Sequence, residues 1–284
     1  MNEVMTGAAP ERSITVIEAH RGWRTPQLGQ LWRYRELLAF FALRDIKVKY
    51  KQTAFGVLWT VFQPVVMMLV FSLVFGHMVG LENSTGDIPY PLYLVVGLVP
   101  WNFFSTTVTS SSNSILAEGH IITKIFFPRL LIPLATVGTT FVDFLFAFII
   151  IIFSMAYYGI VPPWQVVFLP LFTLLLIFTA LSIGIFVAAL GVAYRDFRYI
   201  MPFFIMVLQY VSPVLYPSTL IPERFRWLMR LNPVGVVIDG FRHCCFGTPL
   251  NWNYVCLSFL IVTLALYVSM MYFRKMEAQF ADII

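Results

Sequence analysis

The sequence predicts an all-α polytopic membrane protein. It has six membrane-spanning helices, an N-terminal amphipathic interface helix, and short re-entrant helices on the outer side before the last span. Three observations carry this reading. Of 284 residues, 59% are hydrophobic and only 12% are charged, against about 45–50% and about 25% in soluble domains. Six segments hold the roughly 20 mostly apolar residues that a helix needs to cross the hydrocarbon core. Nine of the 19 Lys and Arg crowd into residues 1–51, leaving long apolar runs with short breaks. An ordinary soluble enzyme, a secreted disulfide scaffold and a disordered chain are all excluded.

Taken in order, residues 1–27 read as a cytoplasmic polar tail. Glu3, Glu11 and Glu18 precede any apolar run, so this is not a signal peptide. Residues 28–53 read as a cytoplasmic amphipathic interface helix. At 100° per residue, Arg33, Glu36, Arg44, Lys47 and Lys51 fall within about 80° of arc. Leu31, Trp32, Leu38 and Phe41 lie elsewhere on the wheel, while Arg35, Asp45 and Lys49 break the pattern. Such a helix lies along the membrane surface before turning into the first span. The spans follow at about 54–76, 92–112, 133–157, 166–190, 199–217 and 252–273, with a cytoplasmic tail at 274–284.

Six spans put both termini on one side. That side then holds fifteen of the 19 Lys and Arg, including Lys124, Arg129, Arg195, Arg198, Arg274 and Lys275. The other side holds four: Arg224, Arg226, Arg230 and Arg242. The positive-inside bias places both termini in the cytoplasm. A net charge of +5 would suit nucleic acid, but bases beside a span orient it and touch anionic lipid instead.

The segment at 218–246 is the exception among the outer loops. It carries those four Arg with Glu223 and Asp239, yet stays rich in Phe, Trp, Leu and Val. Pro222 suits the first residue of a short helix, where its missing N–H costs nothing. Asn232-Pro233 then breaks the chain before a second short piece. Two short helices dipping into the outer leaflet fit this pattern, provided that protein or a water-filled path satisfies their ends. An ordinary outer loop is the other reading.

No chemistry emerges from the motifs. There is no G-x-x-x-x-G-K-[ST], no G-x-G-x-x-G and no H-E-x-x-H. His20, His77, His120 and His243 are scattered. Cys244, Cys245 and Cys256 make no metal spacing. Ala180-Leu-Ser182-Ile-Gly184 lacks the first glycine of a nucleophile elbow and lies inside a span, where small residues permit close helix packing. Asp143 is the only acid well inside a span, so it needs a partner facing protein or water. A structural hydrogen bond accounts for it; an ion-coupling site is the alternative.

Aromatic residues are abundant. Tyr199, Phe203, Met206 and Tyr210 share one face of the fifth span, and Phe55, Trp59 and Phe62 one face of the first. Trp101, Phe103 and Phe104 sit early in the second. Such stripes either face lipid or line a channel where rings stack on sugars that slide past.

The stretch Arg44-Asp45-Ile-Lys-Val-Lys49-Tyr50-Lys-Gln-Thr53-Ala-Phe55-Gly56-Val-Leu58-Trp59, followed by Gln63-Pro64, resembles the opening of the ABC-2 type permeases that export polysaccharide. That family includes the membrane subunits for O-antigen, capsule and teichoic acid export. Phe127-Pro128-Arg129 with Pro133, Tyr194-Arg195-Asp196, Ser212-Pro213-Val214 with Tyr216, and Asn232-Pro233 continue the match in order. Thr53, Phe55 and Tyr194 depart from the commoner Ser, Leu and Phe.

The resemblance implies a permease subunit without an ATPase site of its own, in the bacterial inner membrane. A second copy of the chain would complete the channel, and two copies of an ATP-binding cassette subunit would hold Mg-ATP. The cargo would be a lipid-linked polysaccharide, O-antigen or a related cell-surface glycan. Phe55, Trp59, Phe62, Trp101, Phe104, Tyr199, Phe203 and Tyr210 would line the channel. Arg44, Lys47 and Lys49, with Glu118, His120, Lys124 and Arg129 of the loop 113–132, would form the cytoplasmic gate and ATPase coupling. Arg224, Arg226, Arg230, Asp239 and Arg242 would belong to the outer gate. An ABC-2 drug or lipid efflux permease is the milder alternative, and an ion-coupled transporter using Asp143 the more distant one.

Overall fold

The computed structural model describes Thr25 and residues 28–51, 56–122, 124, 125, 127–194 and 196–283. The tail 1–24 and Phe55 therefore lie outside the described residues. Eleven α-helices occur among those described: α1 (Leu28–Arg33), α2 (Arg35–Lys51), α3 (Gly56–Phe71), α4 (Tyr90–Ala117), α5 (Gly119–Ile122), α6 (Leu131–Tyr157), α7 (Leu169–Ala193), α8 (Phe197–Val211), α9 (Glu223–Leu231), α10 (Pro233–Phe246) and α11 (Trp252–Ile283). No strand is present among them.

Among the described residues, five helical segments are long and apolar enough to cross a membrane: Leu58–Met78, Tyr90–Ala117, Leu131–Tyr157, Trp164–Ala193 and Trp252–Glu277. The first combines α3 with a π-helical stretch, Ser72–Met78, that widens its last turns. The segment expected as a span at 199–217 is instead a 15-residue helix, α8. It rises only about 22 Å, short of the roughly 30 Å hydrocarbon core. Ser212-Pro213 ends it, because proline supplies no N–H to continue the ladder. At the other extreme, α11 runs unbroken through the stretch expected as a tail.

Helix α4 is the hub. Of its apolar stretch, 78% is buried, against 11–39% in the other four. Its partners are α3, α6, α7, α8 and α10. Contact with α7 is close because Gly184 faces Ser111: a Cβ there would lie 2.6 Å from the serine Cβ. Ser111 donates to the Pro133 carbonyl of α6 (3.0 Å), and Thr107 to Thr140 of the same helix (2.8 Å). Small and hydroxyl residues thus let backbones approach and bond across the bundle.

The break after α8 is satisfied by side chains. Arg242 of α10 is 2% exposed and donates to the carbonyls of Pro213 (2.6 Å) and Val214 (2.9 Å). Tyr90 donates to the next carbonyl, Leu215 (2.7 Å). The Arg242 guanidinium also lies 3.7 Å from the Tyr93 ring centre, a cation–π contact. Gly97 makes room, since a Cβ there would sit 2.7 Å from the Val214 oxygen. Between α9 and α10, Asn232 caps α10 by accepting from Val234 N–H and donates to Ser212 (2.9 Å). Pro222 precedes α9 rather than occupying its first turn, and its carbonyl accepts from Phe225 N–H (2.9 Å).

Replacing Arg242 with Met strands two buried carbonyls, each worth about 1–3 kcal/mol. We expect the detergent-solubilised protein to melt several degrees lower. Arg242→Lys should not restore it, because one ammonium cannot span the fork geometry.

Candidate functional site

Helix α2 advances along α6. Phe41 packs on Phe127 just ahead of α6 (ring centres 5.5 Å apart), Ala42 on Gly138, and Tyr50 on Phe146 (6.3 Å). This register delivers two donors to Asp143. Lys49 pairs with one carboxylate oxygen, and Tyr50 donates to the other at 2.5 Å. The acid that stood alone in the sequence therefore has a cation and a phenol around it. Burial first, then the Asp143 carboxylate, push the Tyr50 phenol well above its ordinary pKa, so it stays protonated and keeps donating.

The pair forms one wall of a cavity of about 490 Å³ between α3, α4 and α6. Thr60 and Gln63 of α3 line it, with Asn102, Ser105 and Thr106 of α4 and Thr140 of α6. Pro64 also faces it; lacking an N–H, it leaves the Thr60 carbonyl without its helical donor. Trp59 forms the rim and stacks on Phe62 (5.6 Å, 29° between planes). Both rings are exposed. Such a lining offers a carboxylate, an ammonium, two carboxamides and several hydroxyls beside a flat ring. Neutral polyhydroxylated ligands suit it: their hydroxyls pair with the amides and carboxylate, and their C–H faces lie on indole. A compact anion suits it less, because Asp143 already offsets Lys49.

The aromatic residues divide sharply. Trp59, Phe62, Tyr199, Phe203, Met206 and Tyr210 are all exposed, so one open face runs along α3 and another along α8. Trp101 and Phe104, expected in the same channel lining, are instead almost wholly buried, their ring centres 5.4 Å apart and their planes tilted by 46°. Their side of α4 packs into the core, while Asn102, Ser105 and Thr106 on another side of the same helix line the cavity. Phe103 is buried too, yet its edge reaches the cavity.

Two of the residues expected in coupling meet. Arg44 donates to Glu118, at 2.5 Å to one oxygen, and to Asp45 at 2.8 Å. Burial works to lower the Arg44 pKa, but these carboxylates outweigh it and hold the guanidinium above its ordinary value. Thus α2 is clamped to the turn between α4 and α5. Lys47, His120 and Lys124 are exposed. Arg129 turns away from that group, donating to the Glu277 carbonyl of α11 (2.6 Å). Lys49 departs from it as well, since it serves the cavity. Arg224 is exposed over Phe225 (4.6 Å), Arg242 is buried as described, and the side chains of Arg226 and Arg230 lie outside what the structure describes.

The sequence reading passed over Gln63, Asn102, Thr60 and the hydroxyl run from Ser105 to Ser114. Their signal was present: carboxamides and hydroxyls inside otherwise apolar spans have to find polar company.

A family model described as ABC-2 type transporter matches residues 36–246. The chain belongs to the ABC-2 type transporter family. The ABC-2 match takes in the cavity and the buried Arg242. Among curated relatives, the O-antigen export system permease protein RfbA of Klebsiella pneumoniae is 30% identical over 258 residues, covering 90% of this chain and 97% of the relative. A Myxococcus xanthus protein of the same name is 32% identical over 216 residues, or 75% of this chain and 81% of the relative. The polysialic acid transport protein KpsM of Escherichia coli is 24% identical over 234 residues, 78% and 87% respectively.

If Asp143 anchors α2, Asp143→Asn should raise amide hydrogen exchange across residues 44–51 about tenfold and leave α4 unchanged. Equal exchange in both proteins would show that the apolar contacts alone hold α2.

Proposed function

We propose that this ABC-2 protein is the membrane subunit of a bacterial inner-membrane exporter that moves a lipid-linked polysaccharide, O-antigen or a related surface glycan. The observation that carries the reading is the cavity at Asp143, in which polar donors and acceptors meet an exposed Trp59 ring at the edge of an apolar bundle. Relatives named for O-antigen export and matched over nearly their whole length support the same cargo.

Two copies form the channel, with the open aromatic faces of α3 and α8 turned toward each other. A hydrophilic glycan cannot enter hydrocarbon, so its path has to be lined by protein. The short α8 completes the sixth crossing together with the turn at 212–217, whose carbonyls are satisfied by Arg242 and Tyr90. Both termini then lie in the cytoplasm, where the basic N-terminal region belongs, and α9 and α10 form the outer gate.

ATP is hydrolysed by a separate ATP-binding cassette subunit, present in two copies and holding Mg-ATP. The Arg44–Glu118 clamp makes α2 and the turn before α5 one unit, so a push on either is passed to α4. Lys47, His120 and Lys124 present exposed polar groups at the same end for that partner. An ion-coupled mechanism is less well supported, because Asp143 is held in a local ion pair.

The decisive experiment is to purify the tagged chain from native membranes in mild detergent and identify what copurifies. A stoichiometric ATP-binding cassette protein is expected; its absence beside intact, folded chain would overturn the reading. With Trp59, Phe203 and Tyr210 all changed to alanine, surface glycan should fall at least tenfold while insertion and ATPase association persist. Separately, Glu118→Ala should weaken coupling and lower transport-stimulated ATP hydrolysis severalfold; undiminished transport-linked ATPase activity would count against the clamp.

A further inference from the structure

A second cavity, of about 460 Å³, lies at the opposite end of the bundle from Glu118. It falls within the roughly 300–1,000 Å³ typical of small-molecule sites. Five segments that are distant in sequence build it: the loop at 84–88, the first turns of α4, the turn at 213–219, α10, and the stretch 248–254. It shares no residue with the cavity at Asp143.

Its chemistry is specific. Asp239 contributes a carboxylate whose side chain is 33% exposed, 3.6 Å from the guanidinium of the buried Arg242. Ser218 also donates to this carboxylate, and of its roughly four lone-pair sites the remaining ones can accept from a ligand. Arg242 spends its two terminal nitrogens on the Pro213 and Val214 carbonyls. Its buried Nε–H finds no acceptor among the described residues. Around this pair stand the hydroxyls of Ser218, Thr219 and Thr248 and the carboxamide of Asn251. Thr219, Pro249 and Asn251 are exposed, so the cavity opens at that rim. Among the described residues no cluster of acids, His or Cys could hold a metal ion.

We infer that this cavity is a binding site for a neutral sugar unit, reached from the outer side beneath α10, with Asp239 accepting its hydroxyls. This rests on the export reading and extends it: the glycan would meet a second, separate site as it leaves. A neutral ligand fits because the fixed charges, Asp239 and Arg242, already offset each other. A single acid facing several polar groups favours a polyol, whose hydroxyls donate to the carboxylate while accepting from Thr219 and the Asn251 amide. The partially free Arg242 gives the site a rigid floor, since its position is set by three backbone and ring contacts.

The test uses the full chain in lipid nanodiscs, with methyl mannoside, methyl galactoside and N-acetylglucosamine as separate probes in saturation-transfer NMR. At least one probe should receive transfer, and Asp239→Asn should cut it at least fivefold. Should Asp239→Asn fail to fold, Thr219→Trp plugs the rim without touching the Arg242 contacts and should abolish the transfer. In a Thr219→Cys protein, labelling by an impermeant thiol reagent should slow at least threefold when that sugar is added. All of these readouts are taken in a Trp59→Ala background, which removes stacking of the probe at the separate cavity near Asp143. Absence of transfer to every probe, or transfer and labelling indifferent to Asp239→Asn and Thr219→Trp, overturns the site even where cells export glycan normally. Loss of the export reading itself would appear instead as glycan export that is independent of this chain.

Discussion

Everything at one end of this bundle depends on how the broken backbone after α8 is satisfied. A chain that stops being helical within an apolar bundle exposes carbonyls that have no water to turn to. Arg242 and Tyr90 take three consecutive ones, at Pro213, Val214 and Leu215. Because those donors sit on α10 and α4, the same bonds that satisfy the break also dock the two helices. The stacking of Arg242 on Tyr93 offsets part of the cost of burying a cation. Pro213, Asp239 and Arg242 of this arrangement also line the second cavity.

At the other end the organising contact is ionic rather than backbone-based. Helix α2 is tied at two points, through Arg44 to Glu118 and through Lys49 and Tyr50 to Asp143. One point lies where α4 ends and the other well along α6, so α2 bridges the two helices that wall the polar cavity. Pairs this partly exposed contribute modestly to stability. Their larger consequence is positional: they fix which residues of α2 face the groove. A helix whose polar groups are divided between two partners has little left to form the single charged stripe that an isolated surface helix would show.

Between these ends, α4 explains why aromatic residues with similar spacing have different fates. Most of it is enclosed, and Trp101 and Phe104 lie on its packed side and fill the core. Helices α3 and α8 have fewer neighbours, so Trp59, Phe62, Tyr199 and Phe203 remain open. Trp59 with Phe62 and Trp101 with Phe104 share ring types and spacing; the number of packed neighbours decides.

The sequence by itself determined the class of protein, the positions of five long apolar helices, the break at Asn232-Pro233 and the need of Asp143 for a partner. These follow from local properties: run length, proline's missing N–H, and the cost of an unpaired charge among apolar residues. Family membership was also legible, since ordered motifs such as Phe127-Pro128-Arg129 survive in the chain itself. What the sequence could not supply was direction. That Lys49 turns to Asp143 while Arg44 turns to Glu118, five residues apart on one helix, depends on where α4 and α6 end relative to α2. That Gln63 and Asn102 face one cavity requires two helices in register. That Arg242 is buried on carbonyls required the turn 29 residues earlier to be packed against it. Each is a relation between elements far apart in the chain, which only their tertiary packing creates.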